Sequence, residues 1–357
     1  MPKVLFAPLD WGLGHATRCI PLIQGFMNEG WDVTIASDGN CAKLLRASFP
    51  DLSFLTLPGY QIRYSKNRLP FQILKQIPRI HIKIKEEHNW LKREIKKHHW
   101  DLIISDNRAG LHRPDIYSIY ITHQLQIQSG LGKWADYIAT LLHKKVMKAF
   151  DEVWIPDMPG ELRLAGKLSE NSRLKKQATY IGCVSRMQAN EERKPIYDIM
   201  LLLSGPEPQR TILENIFLDQ IDNQSGNILI IRGTRQPLDR SDIPKNVEII
   251  DLADTHTLNQ KMQESDYVIC RSGYTTIMDL MKLKKKALFI PTPGQGEQEY
   301  LASYSSFKNL FPFIPQEEFD ISKANKIIRN FIFAFPFNET SFLHHQHIIR
   351  ELTNKIK

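Results

Sequence analysis

The stretch Trp11 to Cys19, WGLGHATRC, places two glycines, a histidine and an arginine directly behind the short apolar run Val4–Ala7. Glycines at a strand-to-helix turn let a ligand approach the backbone closely. His15 then stands at the start of the expected helix. The helix dipole there disfavours an imidazolium and keeps the ring neutral, which suits a general base. Gly12 and Gly14 fit the first two positions of a dinucleotide fingerprint, but Thr17 stands at the third glycine, which argues against a nicotinamide or flavin enzyme. The plain alternative is a turn shaped by Gly12 and Gly14 and capped by His15.

Other strand-to-turn stretches carry polar groups of the same kind. In ICRSGYTTIMDL, Ser272 and Gly273 turn into a helix with Tyr274, Thr275 and Thr276 at its start and Asp279 further along. Glycine, hydroxyls and helix N-terminal N–H groups are the ingredients of a phosphate site, and Asp279 is placed to accept from a ribose. The loop PTPGQGEQEYLA crowds Gln295, Glu297, Gln298 and Glu299, groups suited to sugar hydroxyls, although a surface loop also carries such residues. LLLSGPEPQRT opens with Ser204 and Gly205 and closes with Arg210, which could neutralise a diphosphate or be an ordinary surface arginine. IISDNRAGLH brings Asp106, Asn107 and Arg108 to a strand's C-terminal end, and His123 follows the next strand. With Arg18 these residues are candidates to hold an acceptor; Asp106 could instead orient His15.

The elements that must position these groups alternate. Strands are expected at Val4–Ala7, Val33–Ala36, Phe54–Leu57, Leu102–Ser105, Ile119–Ile121, Val153–Ile155 and Tyr180–Ile181, with a helix between the first two that buries Ile20, Ile23 and Met27 and stops at Gly30. After a linker, Met187–Pro195, the pattern restarts with strands at Ile199–Gly205, Ile228–Ile231, Val247–Ile250, Tyr267–Cys270 and Ala287–Ile290. The expected fold class is therefore α/β, with two doubly wound Rossmann-like domains facing a central cleft. The first spans residues 1–186 and the second 196–338. A last helix, within 339–357, is expected to return to the first domain and to expose His344, His345 and His347.

The 357 residues also favour two domains over one core. Cys19, Cys41, Cys183 and Cys270 lack C-x-x-C spacing and are expected to be reduced, buried thiols. No apolar run approaches the roughly 20 residues of a membrane span, and the N-terminus lacks a signal-peptide pattern, so a cytoplasmic location is expected. The net charge is +8, and residues 75–100 form a basic amphipathic segment. Such a segment suits an anionic membrane surface or an acidic substrate, or is simply a solvated helix face. No nucleic-acid-binding motif accompanies the charge.

Taken together, these stretches resemble the GT-B glycosyltransferases, and within them glycosyltransferase family 28. The likeness is strongest over Asp266–Ala302 and present in the G-x-G-H turn. It implies a nucleotide-diphosphate sugar, most often a UDP-sugar, with N-acetylglucosamine as the common donor sugar. Ser272, Gly273, Tyr274 and Thr275 would meet the diphosphate. Asp279 stands where the family usually has a ribose-binding glutamate. Gln298 and Glu299 stand where it commonly has two glutamines on the donor sugar. Arg186 in IGCVSR falls at a phosphate-facing arginine, without the Asn and Pro of the family's stretch. Gly205 and Arg210 lie in a loop that lacks the family's extra glycines.

The resemblance implies an inverting transfer without a cofactor or obligatory metal. Gly12 and Gly14 would pass close to the donor, while His15 takes the proton from a hydroxyl of a lipid-linked or cell-envelope acceptor. The enzyme would work in the cytoplasm, at the inner face of the membrane. UDP-sugar hydrolases that share the G-x-G-H-x-x-R start, here Gly12, Gly14, His15 and Arg18, are the rival enzymes. A non-catalytic nucleotide-sugar-binding protein is the rival from another class.

Overall fold

The computed structural model describes the chain apart from Trp11, residues 61–68, 171–176 and 191–193, Asp239 and Lys357; for residues 69–78 it describes the backbone alone. The first residue of the glycine turn, part of the expected linker and the first side chains of the basic segment thus lie outside the described residues. The chain divides into two compact units. The first comprises Met1–Arg63, Pro70–Arg186 and Asn338–Lys357, and the second principally Met187–Phe337.

The first unit holds β1 (Lys3–Pro8), β2 (Asp32–Ser37), β3 (Ser53–Thr56), β4 (Leu102–Asp106), β5 (Tyr117–Ile121), β6 (Glu152–Ile155) and β7 (Ala178–Tyr180). The helices among them are α1 (Leu13–Asn28), α2 (Gly39–Ser48), α3 (Leu69–Glu94) and α4 (Lys133–Met147). The strands pair in the order β3-β2-β1-β4-β5-β6-β7, all parallel. Both faces are covered, which is why β1 reads as an unbroken apolar run. Val4 and Phe6 enter one core with α1, whereas Leu5 and Ala7 enter another with Trp90 and Trp100.

Helix α1 buries Ala16, Cys19, Leu22, Ile23 and Phe26. Met27, expected on the buried stripe, is exposed. The helix is turned so that Phe26 fills that place, edge-on to Phe6 at 5.5 Å and to Trp31 at 5.3 Å. Aromatic edge-to-face pairs of this kind outweigh one flexible methionine. The chain leaves α1 through Gly30 at φ +78°, the left-handed conformation that glycine adopts without strain.

The second unit repeats the architecture with β8 (Tyr197–Leu202), β9 (Ile228–Ile231), β10 (Val247–Ile250), β11 (Ser265–Cys270) and β12 (Lys286–Phe289). Its helices are α5 (Gln209–Leu218), α6 (Thr255–Gln263), α7 (Tyr274–Lys282), α8 (Gly296–Phe307) and α9 (Ile321–Asn330). The order is β10-β9-β8-β11-β12, again parallel. Every apolar run expected as a strand overlaps one.

Each sheet reverses its direction of growth once, between β1 and β4 in the first and between β8 and β11 in the second. Ligands of doubly wound sheets bind outside the strand C-termini at such switch points. The His15 turn follows β1, and Asp106 ends β4. The Gly205 loop follows β8, and Ser272 follows β11.

The last helix, α10 (Glu339–Ile356), packs on the first unit. Ile349 reaches so close to Gly25 of α1 that an added Cβ would stand 2.7 Å from its Cδ1. Trp31 Nε1 donates to Thr353 Oγ1 at 2.8 Å, and Arg350 pairs with Glu29 at 3.0 Å. The histidine cluster, expected from sequence to be exposed, is not uniformly so. His345 is buried on the packed face, while His347 stays outside beside Glu351. All four cysteines are free and buried.

Candidate active site

In the first unit the switch point gathers a charged cluster. Gly12 precedes α1 at φ +81° with no atom within 4 Å of where a Cβ would stand, so backbone lies open there. Gly14 follows in the first turn of α1, where its carbonyl accepts from Thr17 Oγ1. His15 and Arg18, one turn apart on α1, both reach Asp106. The parallel register sets Asp106 opposite Pro8, directly beneath the turn.

His15 Nδ1 lies 3.1 Å from Asp106 Oδ1 and 2.8 Å from Arg18 Nη2; Asp106 accepts from Arg18 Nε at 2.7 Å, and Arg18 Nη2 also bonds its other oxygen. Arg18 Nη1 lies 3.3 Å from His123 Nδ1. Burial pushes the Asp106 carboxyl upward, but the Arg18 guanidinium and His15 outweigh it and hold the group well below the usual carboxylate range. A charge-assisted pair stays ionised in this way. His15 is lowered from its ordinary value, first by burial and then by Arg18, against the opposing pull of Asp106. The ring is therefore neutral near pH 7, and burial supplies a cause beside the helix end anticipated from sequence. Its side chain keeps 16% of its surface open, whereas Arg18 and Asp106 are sealed.

That contrast corrects the acceptor-side set. Arg18 and Asp106 touch His15, not the surface. Arg108 is fully buried: it pairs with Glu87 of α3 at 2.8 Å and donates to the Pro58 carbonyl at 2.7 Å, so it braces the unit. A guanidinium sealed in this way is not presented to an acceptor. Asn107 takes φ +56° and is half-buried, and His123 is almost wholly buried beside Arg18.

The second unit presents less charge and more backbone. Gly273 precedes α7 and offers no side-chain cap, so the first turn of that helix, beginning Tyr274-Thr275, relies on other acceptors for its N–H groups. Ser272 is buried, and its hydroxyl donates to the Gln298 carbonyl at 2.7 Å, which ties two loops together instead of pointing to a ligand. Gln298 accepts from Thr292 N at 2.9 Å, and Glu299 from Gly294 N at 2.8 Å, so both shape the loop before α8. Glu299 is exposed, while Asp279 and Tyr274 are buried in α7. Arg186 is half-buried beyond β7.

Gly205 sits at φ +93° in open space after β8. Arg210 corrects the sequence expectation: it is buried and paired with Glu207 at 2.6 Å and Glu214 at 3.1 Å, so it does not serve as a free phosphate cation. Glu214 also holds Arg232 at 2.6 Å, which makes this an internal network.

Sequence reasoning missed Arg271, the residue between Cys270 and Ser272. It is buried, donates to the carbonyls of Ile290, Pro291 and Gln209 and to Gln316 Oε1, and pairs with no carboxylate among the described residues. Its Nε–H also lacks a partner among them. Burial pulls its pKa down to about 10, which leaves it cationic. An uncompensated buried charge is costly unless something anionic comes to it. The only signal in the sequence was a charge at the mouth of an apolar strand.

Residues 209–333 match the glycosyltransferase family 28 C-terminal domain. This segment of the second unit carries the likeness to family 28. An uncharacterized glycosyltransferase of Methanosarcina acetivorans is 22% identical over 328 residues, covering 83% of this chain and 81% of its own length. The UDP-N-acetylglucosamine–N-acetylmuramyl-(pentapeptide) pyrophosphoryl-undecaprenol N-acetylglucosamine transferase of Haemophilus ducreyi is 22% identical over 336 residues, covering 89% and 87%. The crystal structure of the glycotransferase of kitacinnamycin superposes with TM-score 0.67 at 12% identity, covering 100% of this chain and 96% of that one. The two doubly wound units are thus those of the GT-B fold, and the chain is a family 28-like glycosyltransferase.

Proposed function

We propose that this glycosyltransferase moves a sugar, with inversion, from a UDP-sugar to a hydroxyl of a lipid-linked or cell-envelope glycan acceptor, with His15 as the base. The observation that carries this reading is the cluster of His15, Arg18 and Asp106 at the switch point of the first sheet. In this reading His15 donates Nδ1–H to Asp106, which Arg18 keeps ionised, and Nε2 is left to accept. The acceptor hydroxyl gives its proton to Nε2 as its oxygen bonds to the anomeric carbon. The bond from that carbon to the diphosphate breaks, and its electron pair leaves with UDP. Asp106 then stabilises the imidazolium, as carboxylates do beside catalytic histidines.

The second unit, residues 196–338, holds the donor in this reading. Gly273, Tyr274 and Thr275 would bring the N-terminus of α7 to the diphosphate, Asp279 would meet the ribose, and Gln298 and Glu299 the sugar. Gly205 leaves open backbone beside the same edge. Arg271 supplies positive charge behind it as the leaving group gains charge. The chemistry needs no cofactor and no metal-bound step. The Haemophilus ducreyi relative names UDP-N-acetylglucosamine and an undecaprenol-linked acceptor, which favours that donor and acceptor class here.

The test is UDP release from a panel of nucleotide sugars, with and without a lipid-linked acceptor, by wild type and His15→Ala. Acceptor-dependent release from one UDP-sugar, lost in the variant while UDP still binds, is the expected result. Release of free sugar without an acceptor would make the protein a hydrolase. Binding without turnover would make it a binding protein.

A further inference from the structure

The ends of β4 and β5 repeat one order: a sealed ionisable residue is followed by an amide that nothing in the described chain engages. Asp106 is 1% exposed and bonded to Arg18, and Asn107 comes next. His123 is 6% exposed beside Arg18, and Gln124 comes next. Asn107 and Gln124 are half-buried, and neither side chain bonds any described residue. A half-buried amide in this state is unfavourable unless water or a ligand takes up its donor and its acceptor.

Asn107 is also the tip of a braced turn. It takes φ +56°, in the left-handed region that asparagine tolerates and glycine adopts without strain. Its own N–H donates to the Ile121 carbonyl at 3.3 Å. Before it, Ser105 Oγ donates to the Arg108 carbonyl at 2.5 Å and accepts from Arg108 N at 3.2 Å. After it, Glu87 of α3 holds Arg108 Nε at 2.8 Å and Gly110 N at 2.9 Å. The turn is thus fixed on both sides, while the amide at its tip is not engaged. That tip stands one residue beyond Asp106, whose carboxylate lies 3.1 Å from the partly open His15.

The charges at these strand ends are engaged elsewhere. Arg18 holds Asp106, and Arg108 holds Glu87. Asp10, behind β1, accepts from Cys41 N at 3.4 Å at the start of α2. Asp157, behind β6, is buried on Ser169 Oγ and on the N–H groups of Met158, Leu164 and Ala165. A charged acceptor group meets no unengaged counter-charge among these residues. A hydroxyl both donates and accepts, and so does an amide. We infer that Asn107, with Gln124 at the end of the neighbouring strand, reads the acceptor, and that the part it reads is an uncharged, hydroxyl-bearing ring. The inference rests on the proposed acceptor side and names a specificity residue that takes no part in the proton transfer.

The experiment is titration of the full chain, in the presence of UDP, with methyl β-D-glucoside and with methyl β-D-glucuronide, read by saturation-transfer NMR. Wild type should bind the glucoside. It should bind the glucuronide, a similar ring with a carboxylate, about tenfold more weakly or worse. Asn107→Gly should weaken the glucoside about two- to tenfold, the size of one hydrogen bond. The same variant should melt no lower than wild type, because glycine takes φ +56° freely. A residue kept only for its turn would show no loss of binding on that change. Asn107→Asp tolerates the same backbone and should also weaken the glucoside; it carries the test if the glycine variant melts lower. The inference is overturned if neither glycoside binds, if the glucuronide binds as tightly as the glucoside, or if a folded variant of Asn107 holds the glucoside at wild-type affinity. Turnover is not read, so the proposed base stands or falls separately. Turnover that survives in His15→Ala, with glucoside binding still dependent on Asn107, would remove the base and keep this inference; the reverse pattern would remove Asn107 and keep the base.

Discussion

The two sheets solve the same geometric problem with different chemistry. At the switch point of the first, α1 sends His15 and Arg18 onto Asp106, so the ionisable groups meet one another and one of them keeps an opening. At the switch point of the second, the charged side chains turn away. Arg210, Glu214 and Arg232 lock into an internal network, while the loop edge offers a helix end, an open glycine and the buried Arg271. A proton-transfer site needs a tuned side chain. The diphosphate site proposed for the second sheet would need fixed donors and positive charge, which backbone and a braced guanidinium would supply without moving.

The sharpest way to break this contrast is His15→Ala. Turnover should fall by about 10²–10⁴-fold while UDP affinity stays at the wild-type level. A parallel loss of UDP affinity would erase the division of labour between the sheets. The wild-type pH profile tests the same point. Only neutral imidazole can accept the proton, and burial lowers the His15 pKa, so activity should persist below the ordinary histidine value and fail at lower pH.

Asp106→Asn should have the next largest effect, about ten- to a hundredfold on kcat and no larger than that of His15→Ala. Asp106 raises the His15 pKa, so its removal should move the acid limb to still lower pH. It also strands the buried Arg18, at a cost on the order of 3–5 kcal/mol of stability. A melting curve alone would show only the structural part; the displaced acid limb belongs to the positioning role.

Arg271 sharpens the other half. Arg271→Met should weaken UDP about tenfold, the size expected for one unit charge acting across a partly screened distance, and leave uridine affinity unchanged. Arg271→Lys keeps the charge and should restore most of the UDP affinity even where the lost hydrogen bonds lower the melting temperature. Equal weakening of uridine and UDP would reduce Arg271 to a brace.

How much of this was visible beforehand follows from which forces act locally. The strands were legible because a parallel sheet covered on both faces makes each strand an unbroken apolar run, as in Val4–Ala7 and Met200–Leu203. The His15 turn was legible because glycine freedom and a strand-to-helix change show within a few residues. Asp106 was marked by its place at a strand end, with His15 as a residue it could orient, but its ion pair with Arg18 was not, because the pairing of β1 with β4 crosses nearly a hundred residues of chain. Arg108 misled for the same reason: its partner Glu87 lies on α3 and meets it only after packing. Arg210 misled although Glu207 and Glu214 are three and four residues away, because its burial, not the helical spacing of the pair, is set by the rest of the unit. Met27 and His345 were misplaced because a turn of the helix by one residue decides which side is buried, and that is set by neighbours such as Phe6 and Trp31.

The smallest effect belongs to Glu299, and it divides the donor side most finely. Its carboxylate accepts from Gly294 N with one oxygen and is exposed, which leaves the other oxygen available to a sugar hydroxyl. Gln298, its neighbour, is buried with its side-chain oxygen on Thr292 N, so it fixes the loop from within. Glu299→Gln keeps an oxygen for Gly294 and should leave the melting temperature unchanged. It replaces an acceptor with a donor toward the sugar, so KM should change about two- to tenfold between UDP-sugars that differ at a single hydroxyl, with kcat little affected. Gln298→Ala should instead lower stability by about 1–3 kcal/mol, as an unpaired buried N–H does, and raise KM for every donor alike. If Glu299→Gln also moves all donors together, the sugar is read elsewhere and Glu299 serves only to shape the loop before α8.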